Sequence, residues 1–587
     1  MTDRAMTSYG RGASPAGDAD GPSRRPAGRR TAATALLAAA LLAAAAGGAA
    51  AAQDEPAAPA APPPGGIEVQ TTVVAVPEAP DLVVEDGVVR LQLEEAVLIA
   101  LRRNLDLAVE RYSHEQALID IVGAEGIYDL FASATANLSD EDSPSVSQVA
   151  GVPVLTSDDR SLSFGLSQLT AWGGEARYRL IASRSSTNNR DQPVNPLYFG
   201  DTGVEFEQPF LRGFGRLATE RPILLARLGA GTSREIFEQQ VALVIQQVED
   251  AYWNLVESRE QLVVARESLA LARELHDRNR IQVDVGTLAP IELVQSEATI
   301  AEREEGIISA EAAAADAADR LLELLNLPRA LIEDLGVEPI TEPETVRVDV
   351  DLEQAIATAL AERPEVRQQQ LELERLELES RFAQNQKLPQ ANVTFGYGSA
   401  GIAGRGRIPQ PDGSFQILDS DLADAFQTVR DRDFDGWSIG LLFGVPIQNR
   451  TARAAATRAD LGLERGRTQL EQLELSIVTE VRTAARAVRT ALQQIESARA
   501  SVTLQERNLD AERKRYENGM SDSFRITEIQ NDLTAARSRL VSSVAAYRRA
   551  LTDYYRTTGR LLEEHGVVLQ GPVDVELPPR RLFSLLD

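Results

Sequence analysis

The chain has 587 residues, of which 43% are hydrophobic and 25% are charged, and its formal net charge at neutral pH is −28. It contains no cysteine, which excludes disulfides, thiol chemistry, cysteine-ligated metals and a lipid-bearing N-terminal cysteine. The acidic balance disfavours nucleic acid and anionic membrane surfaces as partners.

The first 52 residues have the order of parts found in a secretory signal peptide. Arginines at positions 24, 25, 29 and 30 precede an apolar run from Thr31 to Ala46, and small residues ending at Ala52 fit a cleavage site. A stop-transfer helix is the alternative, although the run is alanine-rich and a Pro/Ala-rich linker follows it at 53–87. No other stretch reaches the roughly 18 apolar residues that a membrane helix needs. We therefore expect an exported protein. If it spans a membrane, it does so with β-strands.

The remainder of the chain is an internal duplication. The sequence that opens at Leu93 recurs 259 positions later, from Leu352, and the later helical stretches recur at a second offset of 233. Each copy has the order helix, strands, very long helix, turn and returning helix. The sequence therefore predicts two repeats, 88–326 and 351–562, joined by an equatorial linker at 327–350 and followed by a C-terminal tail at 563–587.

Strands are predicted within 128–212 of the first repeat. Apolar and polar residues alternate from Ala132 to Ser139, and a further candidate hairpin surrounds the turn at Trp172. An apolar face opposite a polar or glycine face is typical of a barrel strand between lipid and a wet lumen. Each strand region begins and ends at the helical side of the molecule, so the number of strands in it must be even. The first repeat supplies two or four strands, because the further hairpin belongs either to the barrel or to the surface outside it.

A very long helix follows, from Arg216 to Val285. Its apolar seam alternates spacings of four and three between Phe237 and Ala272, which is the period of a coiled coil, and the second repeat keeps the same phase. A glycine-centred turn at 285–288 leads into a shorter return helix. The pattern predicts antiparallel hairpins of coiled helix, although the helices alone fit a soluble coiled-coil rod equally well.

The second repeat has strands within 389–447, then a long helix from Arg450 to Glu517, a turn at 518–521 and a return helix. Of the 29 Phe, Tyr and Trp residues, 17 lie within 128–214 and 388–450, which favours a sheet in a membrane. An open sheet edge in lipid would leave backbone groups unpaired. Strands too few to close a barrel must therefore find partners in other chains.

Several motifs resemble those of the TolC-like outer-membrane efflux family. Segments 100–104 (ALRRN) and 359–364 (ALAERP) resemble its repeated helix-opening motif, except that Arg363 replaces the usual Asn and Leu105 the usual Pro. A strand-to-helix junction is matched by Pro209 and Gly213, with Pro446 in a shorter counterpart. The resemblance spans 91–562 and implies an α+β membrane protein: internally duplicated antiparallel helices form an α-barrel, and trimerisation completes a transmembrane β-barrel.

The resemblance also implies roles at the helical tips. By position, Tyr516 matches a gate tyrosine, and Glu292 and Glu528 match gate carboxylates, whereas Arg525 stands where a second acidic residue is common. The alternative for both glutamates is a solvated face on an acidic coiled coil. If the two glutamates line the pore, three copies of each would form carboxylate rings that favour cations and bind divalent ions. The segments expected to contact a periplasmic adaptor are Val285, Gly286, Thr287 and Leu288, and Asn518, Gly519, Met520 and Ser521.

The sequence offers no catalytic residue, no metal site and no cofactor motif. It lacks a phosphate-binding loop, and its histidines at 114, 276 and 565 are not at metal-ligand spacing; His276 is expected on a solvated helix surface. A second alternative is an enzyme of the cell envelope carried on a helical stalk, which would need a compact domain. The segments left over, at 327–350, 398–435 and from 563, are expected to be a connector, an extracellular loop and a tail.

We therefore expect a homotrimeric channel in the lipid of the outer membrane, with its helical barrel in the periplasm. It would passively conduct substrates from an inner-membrane transporter, through a periplasmic adaptor, in a tripartite efflux or type I secretion system. A periplasmic coiled-coil tether without a pore is the main alternative. Drugs, metal ions and secreted proteins all remain open as substrates, because a passive tunnel selects little.

Overall fold

The computed structural model describes residues 73–75, 84–85, 88–146, 149–327, 336–343, 345, 347–348 and 350–570. The predicted signal peptide lies outside these residues, as do most of the N-terminal linker, part of the equatorial linker and most of the C-terminal tail.

Helices of ten or more residues make up most of the described chain. The two longest have 64 and 68 residues, which corresponds to about 96 and 102 Å. The first of these begins at Arg221 rather than Arg216, after a separate helical turn, because Pro222 favours the first turn of a new helix. In chain order these helices are α1 Leu93–Arg103, α2 Leu105–Glu125, α3 Arg221–Asp284, α4 Ile291–Leu325, α5 Leu352–Glu362, α6 Pro364–Asn385, α7 Leu422–Asp431, α8 Arg450–Glu517 and α9 Ser523–Thr557.

The long helices form two antiparallel hairpins, α3 with α4 and α8 with α9, and α9 also packs against α3. In the first repeat the end of α4 meets the junction between α1 and α2. There Asn326 Nδ2 donates to the Arg103 carbonyl at 2.9 Å, and Asn104 Nδ2 donates to the Leu324 carbonyl at 3.3 Å. The Asn104 carboxamide oxygen also accepts from two backbone N–H groups in the first turn of α2. The return helix and the opening helix are thereby joined end to end.

The strands form one large sheet and two small ones. In chain order the strands are β1 Val73–Ala75, β2 Val84–Glu85, β3 Val88–Leu91, β4 Phe131–Pro144, β5 Val154–Leu169, β6 Glu175–Thr187, β7 Val194–Pro209, β8 Gly336–Pro339, β9 Gln390–Pro409, β10 Phe415–Asp419, β11 Asp435–Gly444 and β12 Val568–Gln570. The large sheet has the order β4-β5-β6-β7-β9-β11, all antiparallel, with β10 pairing the far part of β9. Four of these strands come from the first repeat, so the further hairpin belongs to the sheet.

The segment 398–435, expected as a loop, is ordered into secondary structure. β9 continues to Pro409, β10 folds back on it, and α7 packs on β9 and β7. Asp421 and Asp424 cap α7 reciprocally in a capping box. Ala425 is fully buried and lies so close to Gly401 that a Cβ there would meet the Ala425 carbonyl oxygen at 2.0 Å.

The largest core lies around the middle of α3, where the small sheet β2-β3-β8 also packs. The Tyr252 hydroxyl donates to the Leu91 carbonyl at 2.9 Å and accepts from the Thr341 N–H at 3.0 Å. The Trp253 ring meets the Tyr252 ring edge-on at 5.5 Å. A separate core in the second repeat relies on smaller residues, including Ala484 and Ala485. None of the described helices is both long and apolar enough to cross a membrane.

Candidate functional site: a two-faced sheet and two helical tips

The large sheet has two chemically different faces. One row of directly paired residues crosses six strands on what we call the apolar face: Ala132, Leu166, Tyr178, Val204, Tyr397 and Trp437. The adjacent row lies on the opposite face, which we call the polar face: Ser133, Gly165, Arg179, Gly203, Gly398 and Gly436. Trp437 and Leu441 on the apolar face are 72% and 74% exposed. Lipid on one side and water on the other would suit this arrangement.

The apolar face is a band of limited height. It runs from Ala132 to Leu138 in β4, which is about 20 Å along the strand, compared with the ~25 Å apolar band of outer-membrane barrels. In the row of Leu138 the same face already carries charge: Arg160 on β5 lies opposite Leu138, and Arg184 on β6 lies opposite Arg160, with both arginines paired with Asp158 at 3.0 and 3.3 Å. The band therefore ends where charged residues begin.

The polar face carries a stripe of charge on β6 and β7. Arg177 lies 2.6 Å from Glu175, 3.5 Å from Glu207 and 3.7 Å from Glu205, and Arg179 contacts a further carboxylate on β7. These side chains border an open depression of about 1070 Å³ that serine and glycine residues also line. The depression is polar and wide enough to hold water.

The predicted strand-to-helix junction lies at the helix side of the sheet. Pro209 ends β7, and Gly213 adopts a positive φ of 82° while its N–H donates to Asn385 Oδ1 at 2.9 Å. Pro446 lies in the short segment between β11 and α8. The positive φ explains the glycine at 213, because other residues adopt that conformation at a cost.

Aromatic side chains gather beside this junction. Trp172, in the turn between β5 and β6, stacks on Phe214 at 6.1 Å, and Phe214 stacks on Phe210 at 6.2 Å. All three side chains are exposed. Aromatic residues at this level match the girdles that flank the apolar band of outer-membrane barrels.

The two helical tips have the same backbone geometry. Gly286 and Gly519, which are 233 positions apart, have φ values of 76° and 67°. The next residue's N–H donates back to the helix in each case, from Thr287 to the Gln282 carbonyl and from Met520 to the Arg515 carbonyl, both at 2.9 Å. This is a Schellman motif, which requires a left-handed residue just past the helix end.

Tyr516, the predicted gate tyrosine, lies buried between the two hairpins. Its side chain is 4% exposed, and its hydroxyl donates to Asn279 Oδ1 at 2.6 Å and lies 3.0 Å from Gln282 Oε1, both on α3. Burial, and secondarily the charge of Glu292, raises the pKa of the Tyr516 hydroxyl. The tyrosine therefore ties the second hairpin to the first through its protonated form.

The two predicted gate glutamates have different surroundings. Glu292 is partly buried and accepts a hydrogen bond from the Ser523 hydroxyl on the other hairpin. Glu528 is exposed and paired with Arg525, the residue that stands where an acidic one was expected. The structure thus brings Glu292 and Tyr516 together at the contact between hairpins and leaves Glu528 on the surface with a cationic neighbour.

The predicted adaptor-contact segments expose large apolar side chains. Val285 and Met520, one at each tip, are 69% and 70% exposed, and Ile291 and Phe524 at the start of the return helices are also exposed. Leu288 N–H and the Thr287 hydroxyl both bond the Gln282 carbonyl, while the Ser521 hydroxyl donates to Glu512 at 2.5 Å. Each tip is a hydrogen-bonded turn that carries an exposed apolar side chain.

Part of the second repeat matches a known protein family. Residues 355–560 match the family model described as outer membrane efflux protein. This match confirms the predicted resemblance to the TolC-like outer-membrane efflux family. The region matched lies in the second repeat, and no curated protein matches the sequence.

Solved structures of outer-membrane proteins share the fold. The CmeC outer membrane channel of Campylobacter jejuni is 16% identical, covers 80% of this chain and 86% of its own, and has a TM-score of 0.56. VceC of Vibrio cholerae is 13% identical, with coverage of 80% and 96% and a TM-score of 0.57. The MtrE outer membrane channel of Neisseria gonorrhoeae, in its open state, is 15% identical, with coverage of 83% and 98% and a TM-score of 0.53. The α+β class predicted from the sequence is confirmed.

Sequence reasoning missed Asn279 and Ser523 at the contact between hairpins. A signal was present, because Asn279 continues the apolar seam of α3 with a polar residue, and its counterpart 233 positions later is Glu512, also buried. A polar residue in a coiled-coil seam fixes register. The expectation for His276 was wrong: its ring is partly buried, and Nδ1 lies 2.9 Å from the Ser296 hydroxyl inside the first hairpin.

Proposed function

We propose that this protein is the homotrimeric outer-membrane duct of a tripartite efflux or secretion system. The observation that carries the proposal is the two-faced sheet. An exposed apolar band on one side and a charged, glycine-rich surface on the other suit a wall between lipid and an aqueous lumen. The long hairpins would extend that lumen into the periplasm, and the signal peptide would direct export.

Exposed apolar seams on the helices support an oligomer. On α2 the exposed apolar residues are spaced by four, three and seven positions, and α8 exposes three leucines along its length. Such seams pack against neighbouring helices in coiled assemblies. In chain order the residues are Leu105, Val109, Tyr112 and Ile119, then Leu461, Leu475 and Leu504.

The tips would close the duct and meet the adaptor. Tyr516 and Glu292 hold the second hairpin against the first, and Arg278 adds an ion pair to Glu517 across the same contact at 3.0 Å. In three copies, Glu292 and Glu528 would place carboxylates around the periplasmic mouth. The exposed Val285 and Met520 would present apolar contacts to the adaptor, through which an inner-membrane transporter would deliver substrates.

The test replaces both glutamates, Glu292→Ala with Glu528→Ala. Loss of the Ser523 contact and of the carboxylate rings is expected to raise conductance in planar bilayers and the sensitivity of cells to vancomycin. Glu297→Ala with Asp532→Ala is the matched control, because both carboxylates are exposed on the same two return helices. Unchanged conductance and sensitivity in the first variant would refute the gate assignment.

Extraction of the protein from membranes distinguishes the proposed duct from the alternative, a periplasmic coiled-coil tether without a pore. A tether is expected to leave the membrane fraction with salt or urea, whereas a barrel requires detergent and runs as an oligomer in SDS until heated. Release by urea alone would refute the channel.

A further inference from the structure

An open depression of about 550 Å³ lies where the second repeat passes from the sheet to the helices. Its two cationic residues are Lys387, just after α6, and Arg453, in the first turn of α8. Asn449 Nδ2 donates to the Lys387 carbonyl at 2.9 Å and so joins the two sides. Val445 and Ile447, which also line the depression, are 55% and 94% exposed. The depression therefore combines two cations with exposed apolar side chains.

The depression lies at the helix-side end of the apolar face. Gly444 and Gln390 form the last pair between β11 and β9, and both belong to the polar face. Continued alternation along the chain places the next residues, Val445 and Pro389, on the apolar face. Both of them line the depression. If lipid covers the apolar face, the two cations lie at the level of the headgroups on the periplasmic side.

The two cations lack a carboxylate partner. Among the described residues, neither Lys387 nor Arg453 forms an ion pair. Asp460, an acidic residue that lies near Lys387, instead accepts hydrogen bonds from Ser380 at 2.6 Å and from Gln384 at 2.8 Å. The first turn of α8 contains no acidic residue. Two like charges in one depression repel each other unless an anion lies between them.

The first repeat satisfies the corresponding positions internally. The residue 259 positions before Lys387 is Tyr128, and the residue 233 positions before Arg453 is Glu220. The Tyr128 hydroxyl donates to Glu220 Oε1 at 3.0 Å, and Arg216 Nε lies 3.0 Å from Glu220 Oε2. A tyrosine and a glutamate bond each other, whereas a lysine and an arginine cannot. The second repeat therefore needs an external anion where the first repeat does not.

We propose that this depression binds the headgroup of an anionic phospholipid in the periplasmic leaflet of the outer membrane. Lys387 and Arg453 contact the phosphate, and the acyl chains lie against Val445 and Phe443, which is 64% exposed on the apolar face. The inference rests on the proposed function, which gives the apolar face its lipid.

The surrounding charge selects the class of headgroup. Arg450 and Arg458, on the same part of α8, are exposed and also lack an ion pair in the described part of the chain. This group of cations is a local exception in a chain whose net charge is −28. It repels the amine of a zwitterionic headgroup and favours one without a cation, such as phosphatidylglycerol.

The test is a lipid titration of the detergent-purified protein, with bound lipid counted by native mass spectrometry. For dioleoylphosphatidylglycerol, the variant Lys387→Gln/Arg453→Gln is expected to lower the apparent affinity roughly tenfold, because each basic residue contributes to the attraction of anionic lipid. Arg450→Gln/Arg458→Gln removes the same charge outside the depression and is the matched control, with a much smaller loss expected. Lys387→Arg/Arg453→Lys keeps both charges and is expected to keep the affinity.

Two further titrations use the unsubstituted protein, so they decide even if a variant fails to assemble. Dioleoylphosphatidylcholine is expected to bind more weakly, and inorganic phosphate is not expected to displace the bound lipid. Equal affinity for both lipids, displacement by inorganic phosphate, or equal losses in the test and control variants would overturn the lipid site alone. Release of the unsubstituted protein from membranes by urea would overturn the proposed function instead.

Discussion

The two repeats end their long helices in the same way but fill the middle of those helices differently. At the tips, Gly286 and Gly519 share one backbone geometry at an offset of 233. Near the middle, Tyr252 bonds two backbone groups in the first repeat, whereas the residue 233 positions later is Ala485. The tip geometry depends on a glycine and a local hydrogen bond. The middle depends on what packs there, and only α3 carries the β2-β3-β8 sheet in the described residues.

The largest expected loss of stability comes from replacing Tyr252 by alanine, the residue that the second repeat has at the equivalent position. Tyr252→Ala removes a fully buried ring and leaves the Leu91 carbonyl and the Thr341 N–H without their partner. We expect a loss of about 3–5 kcal/mol in the free energy of unfolding. Thermal melting of the detergent-solubilised protein, followed by circular dichroism, measures it.

Two controls separate the ring from the hydroxyl. Tyr252→Phe keeps the ring and is expected to cost about 1–3 kcal/mol, the penalty for unsatisfied buried groups. Ile308→Ala removes an exposed side chain on α4, outside the seams described above, and should cost much less. Equal losses for Ile308→Ala and Tyr252→Ala would mean that the middle of α3 is not a special core.

A smaller effect is expected at Asp250, whose counterpart in the second repeat is the exposed Thr483. Burial, opposed by Arg549 and assisted by Glu249 and Asp553, raises the pKa of the Asp250 carboxyl to about 6. The folded state therefore favours the protonated form. Its stabilising contribution is complete below about pH 4 and is lost as the pH rises through 6.

Asp250→Asn keeps the neutral form at every pH. We expect the variant to be more stable than the unsubstituted protein at pH 8 by about 1 kcal/mol, after discounting for solvent screening, and equal to it at pH 4. Melting temperatures at the two pH values test this, with the exposed Asp277→Asn as control. A stabilisation at pH 4 as large as that at pH 8 would contradict the assignment.

The smallest effect should be the same in both repeats. Gly286→Ala and Gly519→Ala each force a side chain into positive φ, at a cost of roughly 1 kcal/mol. Gly306→Ala, inside α4 with no atom near the added Cβ, is expected to stabilise instead. Susceptibility of the tips to limited proteolysis measures the local effect. A rise at one tip but not at the other would show that the two turns are not equivalent.

The sequence predicts the parts of this fold that follow from periodicity. The coiled-coil seam from Phe237 to Ala272 predicted the long hairpin, and the alternation from Ala132 to Ser139 predicted a strand with one apolar face. It did not predict α7, because the glycines of 398–406 indicated a loop. In the structure, the missing side chain at Gly401 instead lets Ala425 of α7 pack directly on the sheet. The contact of Tyr516 with Asn279 also escaped notice, because it joins residues 237 positions apart.

The central claim is that the large sheet is a section of a membrane-spanning wall. Single cysteines placed along β11 from Trp437 to Phe443, in protein reconstituted into lipid vesicles, test it most directly with a water-soluble maleimide. The claim predicts labelling on the polar face, at Ser438, Gly440 and Leu442, and protection at the four remaining positions, which lie on the apolar face. Equal labelling at all seven positions would contradict it.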